Sequence, residues 1–285
     1  MSETEEIKVE HKGLKKGLYL IPSLFTAGNI AMGFLAVISS ARGFRLIDNP
    51  ESAAIYFDYA AKAIGLAILF DTLDGRLARM TKTETEIGVQ LDSLADVLTF
   101  GIAPTVLAYA WAVGATFNDE TSIHSVGVFI LFMYLMCGTF RLARFNLAAL
   151  RPRVLAEGTS KVDKKNFVGL PIPPSAGLIA SIVHFKPMPL NSYGENLGNV
   201  YSVLMLLLIA ILGLLMVSTL RYSSFKSAGS DRKSIYLILF VAAIFMAIWL
   251  YSKYVLLSLA IVYVGHGIIW YLFSLFKRSK QVEES

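Results

Sequence analysis

The stretch DTLDGRLARMTKTETEIGVQLDSLADVLTFG, residues 71–101, carries four aspartates, Asp71, Asp74, Asp92 and Asp96, between segments that are otherwise apolar. On a helix, positions three and four apart share a face. That spacing puts Asp71, Asp74 and Ala78 on one face of a first helix, and Gly88, Asp92 and Asp96 on one face of the next. Thr81 to Glu86 is polar enough to be the turn between them. The two helices therefore run antiparallel and bring their aspartate pairs together. Apolar residues fill the far side of both, from Ala63 to Phe70 and from Val97 to Gly114, so the acids gather at one end.

Outward from this stretch the chain reads as an all-α polytopic membrane protein. Of its 285 residues 55% are hydrophobic and 16% charged, against about 25% charged in a soluble domain. The mean hydropathy is +0.58, and runs of roughly 18 or more apolar residues are candidate spans. Eight such spans are expected, at about 18–41, 52–79, 87–114, 123–148, 171–187, 198–219, 233–251 and 254–276. The fifth is short and opens on Pro171, Pro173 and Pro174, which the first turn of a helix tolerates. Residues 1–17 precede the spans and residues 277–285 form a polar tail. The first apolar stretch is too long for a cleaved signal peptide and fits a signal anchor.

Charge sets the expected orientation. With the N-terminus inside, all of the 26 lysines and arginines except Arg42, Arg45, Lys62, Lys186 and Lys253 fall in inside segments. Such a bias expects both termini in the cytoplasm of a multi-pass cell-membrane protein, which needs an even number of spans. The net charge of +5 is explained by these basic loops, and no nucleic-acid partner is expected. One cysteine, Cys137, excludes an intrachain disulfide framework.

Four carboxylates this close in a membrane require a counter-charge. Each intramembrane Asp costs roughly 2.5–3.5 kcal/mol on insertion scales, before mutual repulsion is added. A divalent cation cancels that repulsion, and hard oxygen ligands suit Mg²⁺ or Mn²⁺. Four carboxylates suffice for two ions, an arrangement that stabilises phosphoryl displacement. Gly75, Ala78 and Gly88 leave bare helix surface beside the acids, where a bulky ligand can approach or where helices can pack closely. A divalent-cation transporter is the alternative from another class, but it expects acids spread through the membrane depth rather than clustered at one end.

The full pattern of Asp71, Asp74, Gly75, Ala78, Arg79, Gly88, Asp92 and Asp96 resembles the signature of the CDP-alcohol phosphatidyltransferase family at every defined position. The resemblance implies a six-helix core, here 18–219, with 220–276 as two additional helices. It implies transfer of a phosphatidyl group from CDP-diacylglycerol to an alcohol with release of CMP, and a homodimer. It further implies two metal ions on Asp71, Asp74, Asp92 and Asp96, with Asp96 also the general base. Gly75, Ala78 and Gly88 would accommodate the cytidine side, and Arg79 would offset phosphate charge. The segments IPSLFTAGNIAMGFLA (21–36), DSLADVLTFGIAP (92–104), GTFRLARFN (138–146) and FVGLPIPPSAG (167–177) are similar to the membrane-embedded phosphatidylserine synthases, which implies L-serine as acceptor. A sister enzyme using glycerol phosphate, inositol phosphate or another alcohol is the nearest alternative.

Arg141 and Arg144 stand one turn apart at the inside end of the fourth span, with Asn146 nearby. They serve either as positive-inside anchors or as a site for serine carboxylate or lipid phosphate, with Asn146 offering an acceptor. Asp58 and Lys62 are expected to pair at i,i+4. His11, His124, His184 and His266 share no metal-ligand spacing.

Overall fold

A computed structural model describes residues 12–81, 86–150, 166–218, 221–223 and 246–267. Seven helices run through them: α1 (Lys12–Arg45), α2 (Pro50–Thr81), α3 (Ile87–Thr116), α4 (Ser122–Leu150), α5 (Ile172–Phe185), α6 (Glu195–Val217) and α7 (Met246–Gly267). Among the described residues, six are long and apolar enough to cross a membrane, and the protein is a multi-pass, helical membrane protein. Side chains such as Phe129, Leu214 and Trp249 point outward, as they do where the solvent is hydrocarbon. Phe57, Ile64, Phe100, Leu107, Tyr134, Ile179 and Leu212 are fully buried between the helices. Helix α2 packs along α1 and α5, and α4 along α6.

Two expected spans are redrawn. The fifth, 171–187, is a 14-residue helix, α5. At 1.5 Å per residue it rises roughly 21 Å, short of a hydrocarbon core of about 30 Å. Most of its residues are buried by neighbouring helices. The break expected between 251 and 254 is also absent, because α7 is continuous from Met246. Ser252 and Lys253 look like a polar turn in sequence, but Ser252 meets a partner inside the bundle while Lys253 is exposed. The seventh expected span, 233–251, lies mostly outside the described residues.

Helix α3 is not uniformly wound. Val97–Ile102 and Tyr109–Val113 are π-helical, and the first of these turns begins immediately after Asp96. Pro104 has no N–H, which frees a carbonyl one turn earlier. Tyr134 Oη donates to that carbonyl, Phe100 O, at 3.2 Å, and Ser175 Oγ donates to Tyr134 Oη at 3.2 Å. This buried chain ties α3, α4 and α5 together.

A short antiparallel ladder, β1 (Asn166–Val168) with β2 (Arg221–Ser223), pairs Phe167 with Tyr222. It joins the segment before α5 to the segment after α6, at the end of the bundle that holds the aspartates. Gly169, at φ 83°, follows β1, and a Cβ there would collide with Met216 O. Only glycine fits this turn.

Candidate metal centre

Asp71 comes from α2, and Asp92 and Asp96 from α3. One carboxylate oxygen from each lies within 4.8 Å of the others, and these three could hold a metal ion. Of these three, Asp96 is the most enclosed, at 8% exposure, and its Oδ1 has no hydrogen-bond partner. Asp74 is also buried, but its carboxylate turns to α1, where Thr26 Oγ1 donates to Oδ2. It interacts electrostatically with Asp92, so all four acids form one cluster with Asp74 on its α1 side.

Helix α1 supplies two residues that the aspartate pattern does not reveal. Besides Thr26 it presents Asn29, whose side chain is completely buried with both amide atoms unpartnered. The amide lies against the Asp96 carboxylate, outside good hydrogen-bond geometry. A polar amide inside an apolar span is itself a signal for a functional site, and Thr26, Asn29 and Gly33 recur at i, i+3 and i+7 on one face. Gly33 explains the approach. A Cβ at this position would collide with Thr99 Oγ1 and lie 3.0 Å from Thr99 Cα. Thr99 Oγ1 donates to Asn29 O at 3.2 Å, which locks α1 against α3 one turn below Asp96.

On the α4 side Arg141 is buried at 8% exposure, with Nε unpartnered, and it interacts electrostatically with Asp96. Arg144 is half-buried beside it. Asn146 Nδ2 donates to Ser93 Oγ at 2.8 Å, fixing α4 to α3 next to Asp92. Asn29, Asp96 and Arg141 thus contribute four buried, unpartnered atoms around the Asp96 carboxylate. Each such group costs about 1–3 kcal/mol when left unmet, a cost that a bound polar ligand would remove. Gly75 is half-buried and Gly88 exposed. The side chains of Ala78 and Arg79 lie outside those described.

At the opposite end of the bundle, Lys62 Nζ is 2.7 Å from Asp58 Oδ2, as the spacing expects. The same carboxylate accepts from His184 Nδ1 at 2.5 Å, and His184 Nε2 is 2.9 Å from Ser252 Oγ on α7. No spacing rule connects Asp58, His184 and Ser252, which lie far apart in the chain.

Known proteins bear on the same residues. The profile of the CDP-alcohol phosphatidyltransferase family matches residues 19–217, from within α1 to the end of α6. A CDP-diacylglycerol–serine O-phosphatidyltransferase of Helicobacter pylori (strain ATCC 700392 / 26695) is 33% identical over 260 residues, 91% of this chain and 94% of that one. One from Methanocaldococcus jannaschii is 32% identical over 209 residues, 73% of this chain and 82% of its own. The archaetidylserine synthase of Methanothermobacter thermautotrophicus is 32% identical over 213 residues, 74% and 72% of the two chains. Shared sequence along most of the chain and an acidic cluster at one end of the bundle meet in one conclusion: the chain belongs to the CDP-alcohol phosphatidyltransferase family.

Proposed function

We propose that this membrane enzyme transfers the phosphatidyl group of CDP-diacylglycerol to the hydroxyl of L-serine, releasing CMP and forming phosphatidylserine. The observation that carries the reading is the convergence of Asp71, Asp92 and Asp96 beside buried Arg141, in a chain alike to serine phosphatidyltransferases along 91% of its length.

The donor set fits a hard divalent cation. It is made of carboxylate oxygens within 4.8 Å of one another, and Asp96 Oδ1 is buried with no other partner. Asp71, Asp74, Asp92 and Asp96 would hold two Mg²⁺ or Mn²⁺ ions. When bound, such ions neutralise the diphosphate of the donor and the charge of departing CMP. Thr26 orients Asp74, and Asn29 supports Asp96. Gly75, Ala78 and Gly88 leave room for the cytidine, and Arg79 offsets phosphate charge. Asp96 removes the proton from the serine hydroxyl. The serine oxygen then bonds to the lipid-side phosphorus as the bond from phosphorus to the CMP oxygen breaks. Arg141 and Arg144 hold the serine carboxylate, and the Asn146 carbonyl accepts from the ammonium. The enzyme's share of the acceleration is positioning and preorganised charge. Both termini face the cytoplasm, where serine is available, and the enzyme works as a homodimer.

The test is CMP release by the purified protein from CDP-diacylglycerol with serine, glycerol phosphate or inositol phosphate offered separately. Release with serine alone supports the reading. Preference for either phosphate would move the enzyme to a sister branch while leaving the metal chemistry in place.

A further inference from the structure

Trp111 lies fifteen residues beyond Asp96 on α3, a rise of roughly 22 Å, and so stands at the end of the bundle opposite the acids. A cavity of about 420 Å³ opens there, between the end of α5, the first half of α6 and the 3₁₀ turn Leu190–Tyr193 that connects them. Its size falls in the range of small-molecule sites, about 300–1,000 Å³. None of the four aspartates, nor Thr26, Asn29, Arg141 or Arg144, lines it. The cavity is therefore separate from the acidic cluster. Its shape follows from the sequence after α5. Pro187 and Pro189 cannot continue the helix, and Trp111 Nε1 donates to Met188 O at 2.8 Å, which pins this segment against α3.

Trp111, Tyr193, Tyr201, Leu204 and Leu208 contribute to an apolar lining, and the two tyrosine rings meet edge-on with centres 5.9 Å apart. The α6 side is open, with Tyr201 43% and Leu204 55% exposed. Because α6 is long and apolar enough to cross the membrane, that side faces hydrocarbon, and the cavity is entered from within the bilayer. Tyrosine and tryptophan near the ends of spans sit at headgroup level. Lys186 is the single charged side chain of the lining. It is exposed and forms no ion pair among the described residues. A lysine in such a place lays its stem along apolar surface and holds its ammonium in the headgroup layer. Apolar walls open to hydrocarbon, with one unpaired cation at the rim, complement a lipid whose headgroup is negative.

We propose that this cavity binds an anionic phospholipid from the leaflet at that end, with part of an acyl chain against Trp111 and the phosphate at Lys186. A zwitterionic lipid brings the same chain, but its phosphate is already neutralised by its own ammonium. Lys186 therefore selects for net negative charge, while the walls supply the attraction common to both.

The cavity contains its own probe. Trp249→Phe and Trp270→Phe leave Trp111 as the only tryptophan of the full-length chain. This protein is reconstituted in phosphatidylcholine vesicles, and its fluorescence is followed as phosphatidylglycerol with brominated chains replaces a rising share of the lipid. Brominated phosphatidylcholine is the comparison. Trp111 is only 4% exposed, so bromine in the surrounding bilayer reaches it poorly and strong quenching reports a chain in the cavity. Half-maximal quenching should need about fivefold less of the anionic lipid, the worth of one lysine at an anionic surface. Lys186→Gln should erase that advantage, and Leu208→Phe, which fills the cavity, should weaken quenching by both lipids. Lys186→Gln alters an exposed position and carries the test by itself if Leu208→Phe does not fold. Absence of quenching, as when a second copy of the chain covers the cavity, overturns the proposal. Equal quenching by the two headgroups, an advantage that survives Lys186→Gln, or quenching that folded Leu208→Phe leaves unchanged overturns it as well.

Discussion

Replacing Asp96 with asparagine separates the two tasks assigned to that residue. The change keeps the shape and removes the charge. Oxygens of Asp71, Asp92 and Asp96 lie within 4.8 Å of one another, so each charged pair repels by about 3.5 kcal/mol or more at an effective dielectric of about 20. Asp96 takes part in two of the three pairs. Its loss relieves both, against the smaller loss of attraction to Arg141. The ion-free variant should therefore melt no lower than the ion-free wild type, and added Mg²⁺ should raise its Tm by less. Loss of a general base costs about 10²- to 10⁴-fold, so kcat should fall by that factor while CDP-diacylglycerol binding is retained. Thermal melts with and without ion, equilibrium donor binding and single-turnover rates report each quantity. If Asp96→Asn loses donor binding as completely as Asp71→Asn, Asp96 acts mainly as a metal ligand and its assignment as base is refuted.

Further perturbations follow from the same geometry. Arg141→Lys keeps the charge but loses the planar fork, and should raise the serine KM about ten- to a hundredfold, the worth of a charge-assisted hydrogen bond; substrate-dependence curves check it. Gly33→Ala places a methyl against Thr99 and should destabilise by about 1–3 kcal/mol, as overpacking does. Thr99→Ala in the same chain removes the clashing hydroxyl and should restore part of the lost Tm. Tags at either terminus should be accessible only from the cytoplasmic side, and labelling of one terminus from outside would mean an odd number of spans.

Much of the site was legible because its geometry is local. Asp71 and Asp74, and likewise Asp92 and Asp96, share helix faces through spacing alone. Thr26 and Asn29 were visible only as part of a family-like run. Their role depends on α1 lying against α3 at Gly33 and Thr99, a contact between residues far apart in sequence. Asp58 and Lys62 were paired by i,i+4 spacing, whereas His184 and Ser252 join them through packing that no periodicity encodes. The break expected between 251 and 254 fails for a similar reason. Ser252 and Lys253 have the composition of a turn, but the bundle gives Ser252 a partner and leaves Lys253 outward. The π-helical turns of α3 and the β1–β2 ladder carry no strong local signature.

The proposed role of the aspartate cluster is to hold divalent ions for transfer of phosphatidyl to serine. Its most direct test follows labelled serine into extractable lipid, alongside CMP release, in protein stripped by chelator and then supplied with Mg²⁺ or Mn²⁺. Label and CMP should appear together in equal amounts, vanish on stripping, return with the ion, and stay absent in Asp92→Asn protein that still inserts and folds. Incorporation of label by protein verified to be free of metal would contradict the account.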